Sequence, residues 1–130
     1  MTVKPNQSEL AAFHAEICGA LADPTRIAIL YELADGSKNV SQLVESLGIS
    51  QPTVSRHLKT LRERGMVQAA REGGFVAYTL LDRRIVEALD LLRVALGDIL
   101  VRRGRLAALI DGIEGIEGIE GPAPHRELSD

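Results

Sequence analysis

Tryptophan is absent and aromatic residues make up only 3% of the 130 residues, so the core has to be built from Leu, Ile, Val and Ala. That palette favours helices over sheets. No run of 18 apolar residues occurs, and the N-terminus lacks a basic stretch followed by an apolar one, so neither a membrane span nor a secretory signal is expected. The single cysteine, Cys18, has no partner for an intrachain disulfide, which suits a cytoplasmic protein. Only three histidines are present, and with that one cysteine they form no nucleophile–base pattern; there is also no phosphate-cradling glycine loop, so we expect no enzyme. No cofactor is expected either.

The net charge is -3, which argues against a protein that coats nucleic acid non-specifically. Its distribution says more. Between Gln51 and Arg71 stand five basic residues (Arg56, Lys59, Arg62, Arg64, Arg71) against the single acid Glu63, leaving ten basic and seventeen acidic residues elsewhere. A protein that touches phosphate with one face would be segregated in this way. A solvated helix face that happens to be basic is the plainer alternative.

The basic stretch is itself a well-delimited helix. Ser50 is a good N-cap, Pro52 is tolerated in the first turn where its missing N–H has no intrahelical partner, and Gly65 is a natural stop. Val54, Leu58 and Leu61 share one face and must bury it, while Arg56 and Lys59 point away, with Ser55 and Arg62 on the flank. Just before it, Asn39 and Gln42 form a capping-box pattern that opens a short helix with Val40, Leu43, Val44 and Leu47, stopping at Gly48. Two short helices joined by Gly48, Ile49 and Ser50 predict a helix-turn-helix.

Upstream, Ser8 is expected to cap a first helix with Leu10, Phe13, Ile17 and Leu21 on one face, flanked by His14 and Cys18. Asp23 and Pro24 then start a second helix carrying Ile27, Ile29, Leu30 and Leu33 to about Gly36. After Gly65 the apolar period changes to two, and Met66–Arg71 and Phe75–Leu80 read as strands of a hairpin around Glu72, Gly73 and Gly74. Asp82 caps the longest helix, where Ile85, Leu89, Leu92, Leu96 and Ile99 form a stripe and Leu91, Val94 and Val101 lie outside it. One helix then carries more apolar surface than a small monomer covers, which predicts a dimer. The expected organisation is a loose N-terminus over residues 1–7, one domain over 8–103 and a low-complexity acidic tail over 104–130 containing the Gly-Ile-Glu triplets that begin at Gly112.

The residues Ala22 to Arg26, Ser50 to Leu61, Gly65 to Val67 and Arg71 to Gly73, in this order and spacing, resemble the ArsR/SmtB family of winged-helix repressors over roughly residues 10 to 100. The resemblance implies a mainly α fold with a small β-hairpin, a winged helix-turn-helix of α-α-α-α-β-β-α order. It also implies a homodimer through the first and last helices, a double-stranded DNA operator as partner, and release by an inducer. Carried over by position, base reading falls on Gln51, Thr53, Ser55 and Arg56, whose side chains suit adenine, guanine and phosphate contacts. Phosphate or wing contacts fall on His57, Lys59, Arg62, Arg71 and Gly73, with His57 alternatively structural because it stands beside the apolar rib. Gly74 stands where many relatives place a basic residue.

The three metal sites of such repressors are not matched. Asn39, Val40, Ser41 and Gln42 stand where one cysteine pair would be, Thr60 and Arg64 where recognition-helix cysteines would be, and of the last-helix set only Asp82 is kept, with Arg84, Ala95 and Asp98 in the other places. A non-standard metal site would have to draw His14, His57 and His125 from separate regions. Cys18 is left as the redox-capable candidate for an inducer, against the alternative that it is a small packed hydrophobe. A winged-helix module for protein interaction is the remaining alternative function.

Overall fold

The computed structural model describes residues 3–115. Helix α1 covers residues 7–20 and begins earlier than Ser8 predicts, because Asn6 and Glu9 form a complete capping box. The Glu9 amide donates to Asn6 Oδ1 at 2.8 Å and the Asn6 amide donates to Glu9 Oε1 at 2.9 Å, so two orphan donors are satisfied together. Gln7–Glu9 and Ala15–Ala20 are α-helical, and the intervening Leu10–His14 is a π-helical turn in which the Ala15 amide reaches back to the Leu10 carbonyl. Within the single chain Leu10, Phe13 and Ile17 are exposed, and only Ala20 of this helix is buried.

Helix α2 (Pro24–Ala34) starts where the Asp23 carboxylate accepts the amides of Thr25 and Arg26 at 2.8 and 3.3 Å. Partial burial works to raise that carboxyl, but the two amides and the nearby His57 and Arg26 outweigh it and hold the group below its ordinary 3.8. Ile29, Leu30 and Leu33 form the buried side of α2, with Ile27 half-buried. Helix α3 (Val40–Leu47) opens on the Asn39–Gln42 capping box and closes on Gly48, whose φ of 69° is left-handed and strained for a residue with a Cβ. Helix α4 (Gln51–Glu63) follows at once, with Ser50 Oγ accepting the Thr53 amide at 3.4 Å. Its rib of Val54, Leu58 and Leu61 is at most 1% exposed and locks α4 into the core beside Leu43.

Strands β1 (Val67–Glu72) and β2 (Phe75–Leu80) are antiparallel, with Val67 opposite Leu80 and Glu72 opposite Phe75. Gly73 and Gly74 make the two-residue turn, and positive φ at Gly73 alone is the pattern of a type II′ hairpin. The hairpin is tied down along the C-terminal half of β2. Lys38 and Tyr78 exchange backbone hydrogen bonds of 3.1 and 2.8 Å, and the Leu81 amide donates to the Met66 carbonyl at 3.0 Å. Arg83 donates to the Ala34 carbonyl at 2.8 Å and so satisfies the C-terminal end of α2.

Helix α5 (Arg84–Gly115) runs past the boundary at residue 103 that the sequence suggests. Leu106, Ala107, Ala108 and Leu109 are strong helix formers, and they carry the helix through Gly104 and Gly112, each tolerated at about 1 kcal/mol. The remaining Gly-Ile-Glu triplets and His125 lie outside the described residues. The chain divides into compact units after Ala88, the second of which is, among the described residues, the rest of α5. Val86 and Leu89 are buried, whereas every residue from Asp90 to Ile110 is exposed.

Asp82 sets the start of α5 by accepting the Arg84 amide at 2.9 Å and holding the Arg84 guanidinium at 2.7 Å. The guanidinium contact first, and the amide second, lower the carboxyl from 3.8 to about 2. A carboxylate held down in the folded state contributes stability that is present above its unfolded value and lost as pH falls through the folded one. An Asp82→Asn protein is therefore expected to melt slightly below the wild type at neutral pH, with the gap in Tm closing between about pH 4 and pH 2 in calorimetry. The pair is exposed to solvent, so the gap shrinks with added salt as well.

Candidate nucleic-acid interface

The rib of α4 faces inward, which fixes what faces out. Gln51, Arg56, Lys59 and Arg62 are exposed, and Thr53 and Ser55 are half-buried on the flank. Their polar groups are partly ordered by one another, since Gln51 Nε2 donates to Ser55 Oγ at 3.1 Å and Ser50 Oγ donates to Thr53 Oγ1 at 2.8 Å. Lys59 Nζ lies 3.9 Å from the Glu63 carboxylate on the next turn, an exposed pair that releases its lysine cheaply to a phosphate. Arg71 near the end of β1 and Gly73 at the hairpin tip are also exposed.

Between α4 and β2 runs an open groove of about 410 Å³, lined by Ser55, Leu58, Lys59, Arg62, Glu63 and Tyr78. Tyr78 is a wall of this groove that sequence reasoning missed. The period-2 alternation of β2 was the available signal, but it does not say which neighbour a strand residue faces. The groove brings Ser55, Lys59 and Arg62 together and leaves Gln51, Thr53 and Arg56 outside its lining.

His57 is a correction to the expected contact set. It is 6% exposed, the one buried polar side chain among the described residues, and it cannot reach a phosphate on the outer side of α4. Arg26 Nη1 sits 3.3 Å from its Nδ1, and its Nε2 lies 4.0 Å from the Asp23 carboxylate. The structural alternative is the one that holds. In the sequence Arg26 is a motif residue, and Arg64 is a member of the basic run that stands where a recognition-helix cysteine would be. In the structure Arg26 Nε donates to the Ala20 carbonyl at 2.6 Å, and the exposed Arg64 donates through Nη1 to the Glu16 carbonyl at 2.9 Å.

The candidate inducer residue, Cys18, is exposed and free, so within the single chain it is not a packed hydrophobe. Among the described residues no three His, Cys, Asp or Glu side chains come together as ligands of a metal would, and no helix is long and apolar enough to cross a membrane.

The profile of bacterial regulatory proteins of the arsR family matches residues 23–69, from the cap of α2 into β1. The transcriptional regulator NmtR of Mycobacterium tuberculosis is 38% identical over 86 residues, covering 66% of this chain and 72% of that protein. The chain belongs to the ArsR family. Another relative, the HTH-type transcriptional repressor SmtB of M. tuberculosis, is 40% identical over 81 residues, covering 62% of this chain and 60% of that protein. Among solved structures, a homodimeric winged helix-turn-helix DNA-binding domain from Mycobacterium bovis superposes with a TM-score of 0.63 at 27% identity, over 75% of this chain and 92% of that one. The ArsR-family match ends within β1, before β2 and α5, and its core is the segment that carries the buried rib and the outward basic side.

Proposed function

We propose that this ArsR-family regulator is a homodimeric repressor that reads a pseudo-palindromic DNA operator with α4 and is released by an inducer. The observation that carries the reading is the division of α4: a fully buried rib of Val54, Leu58 and Leu61 holds the helix rigidly, while Gln51, Ser55 and Arg56 are left on its outer side. In this reading Arg56 grips O6 and N7 of a guanine, Gln51 an adenine, and Thr53 and Ser55 contact a base or an adjacent phosphate. Lys59, Arg62 and Arg71 neutralise phosphates, and the hairpin turn at Gly73 rests against the duplex as the wing.

The second copy is called for by exposed apolar surface. On α5 Leu92, Leu96 and Ile99 are uncovered in the single chain, as are Leu10, Phe13 and Ile17 on α1. A dimer presents two α4 helices, which is what a two-fold operator requires. The inducer acts outside the metal sites familiar in such repressors, and the exposed Cys18 thiol is the residue on which an oxidant would act.

Selection of bound sequences from random duplexes tests the whole reading. The expected result is an inverted repeat with half-sites about one helical turn apart, lost on peroxide treatment of the wild type and retained by Cys18→Ser. Salt-dependent binding with no enriched sequence would instead favour a module that uses its basic face on an acidic protein partner. Enrichment that survives oxidation keeps the repressor and discards the thiol.

A further inference from the structure

The last turn of α1 is fastened to α4 at two places, and neither contact involves a base-reading residue. The first runs through Arg26. Its Nε and Nη2 donate to the Ala20 and Gly19 carbonyls at the end of α1 at 2.6 and 3.4 Å, the Gly19 carbonyl also accepting the Ala22 amide at 3.3 Å, while Nη1 meets His57 Nδ1 at 3.3 Å. A guanidinium only donates, so Nδ1 must accept and the ring proton sits on Nε2, turned toward the Asp23 carboxylate at 4.0 Å. The second fastening is Arg64, whose Nη1 donates to the Glu16 carbonyl at 2.9 Å and lies 3.5 Å from the Glu16 carboxylate. The same atom is within 3.9 Å of where a Cβ on Gly19 would stand, so this guanidinium lies across the Glu16–Gly19 turn.

His57 and Arg64 are two helical turns apart, about 10 Å along the axis. The buried rib already holds α4 in the core, and two tethers at this spacing add a restraint on its tilt and rotation relative to the end of α1. His57 also adjoins Arg56 in the chain, so the first tether acts on the backbone that carries the proposed guanine reader. Base contacts require a geometry held to about 0.5 Å and 10–20°. Phosphate contacts by long lysines and arginines do not.

We propose that Arg26, acting through His57, and Arg64, acting through Glu16, are positioning residues that tie α4 to the end of α1 and so refine the angle needed to tell operator from other DNA. This rests on the DNA-reading assignment for its effect on specificity, but the geometry itself can be measured without DNA.

In the DNA-free full-length protein, residual dipolar couplings should show the α4 amides reoriented relative to α2 and α3 in Arg26→Ala and Arg64→Ala. Long-range ¹⁵N spectra should show the Nε2–H tautomer of His57 in the wild type and its loss in Arg26→Ala. With DNA, the ratio of operator to random-duplex affinity should fall by about ten-fold in Arg26→Ala, a charge-assisted hydrogen bond being at stake, and His57→Gln, which keeps an acceptor toward Arg26 and a donor toward Asp23, should hold most of it. Arg64→Ala changes a surface contact and leaves the core intact, so it remains informative if Arg26→Ala fails to fold; Glu16→Ala removes only the carboxylate at 3.5 Å and keeps the carbonyl that Arg64 bonds, so it should lower the ratio less than Arg64→Ala does. Couplings that superpose on the wild type in the Arg64 variant, or operator and random DNA weakened equally by Arg64→Ala, would overturn the proposal. A wild type that enriches no sequence would refute the DNA reading alone, since the couplings and the tautomer would still report on the tethers.

Discussion

An Arg56→Ala protein is expected to bind its operator about 1–3 kcal/mol more weakly, roughly 5- to 150-fold, while its affinity for random duplex changes far less. Arg56 is exposed on α4, one position from the buried His57 and two from Leu58, so it is held on a rigid stretch without contributing to the core. A bidentate pair to guanine is lost as a unit, and the base it read becomes interchangeable in a repeat selection. Lys59→Ala provides the contrast. Its ammonium is 3.9 Å from Glu63 on the surface, and its removal should weaken all sequences alike and lower the salt slope of binding by about 1. Fluorescence anisotropy over a range of salt concentrations separates the two behaviours. If Arg56→Ala weakened operator and random DNA by the same factor, Arg56 would be a phosphate contact and base reading would rest on Gln51, Thr53 and Ser55.

Leu58→Ala is expected to cost about 2–5 kcal/mol of folding stability, measured by urea denaturation. Leu58 is 1% exposed and sits between Val54 and Leu61 on the rib, where the surrounding side chains cannot close over the lost methyl groups without moving α4. Against a total of about 5–15 kcal/mol for a domain of this size, such a loss approaches the margin for folding. Operator and random DNA should then be lost in parallel with the folded fraction, unlike the selective loss expected for Arg56. Leu92→Ala offers a useful comparison because Leu92 is 65% exposed in the single chain. As a surface residue its truncation would move the transition by no more than about 0.5 kcal/mol. If a second copy covers it, the loss is larger and the midpoint depends on protein concentration. A small, concentration-independent shift would remove Leu92 from the dimer surface.

The local devices of this fold were legible because each is completed within a few residues. Asp23, the Asn39–Gln42 box, Ser50 and the glycines at 48, 65 and 73 all act on backbone groups no more than five positions away, and the rib of α4 follows from helical spacing alone. The two local misreadings had local causes as well. The Asn6–Glu9 box lies two residues ahead of the Ser8 cap that the sequence suggests, and the apolar pattern weakens beyond residue 103 although the Ala and Leu residues after Gly104 carry α5 on to Gly115.

What the sequence by itself determined is therefore the order of the elements, the caps that delimit them and the side of α4 that must be buried. Tertiary structure alone decided the partners of His57 and of three arginines. Arg26 finds His57 across 31 positions, Arg64 finds Glu16 across 48, and Arg83 finds Ala34 across 49. A guanidinium carries five donors on a long stem and can satisfy any carbonyl it reaches, so no spacing rule names its partner. Only the packing of α1, α2 and α4 brings members of a motif and a basic run onto these partners, and buries His57 on the inner side of α4.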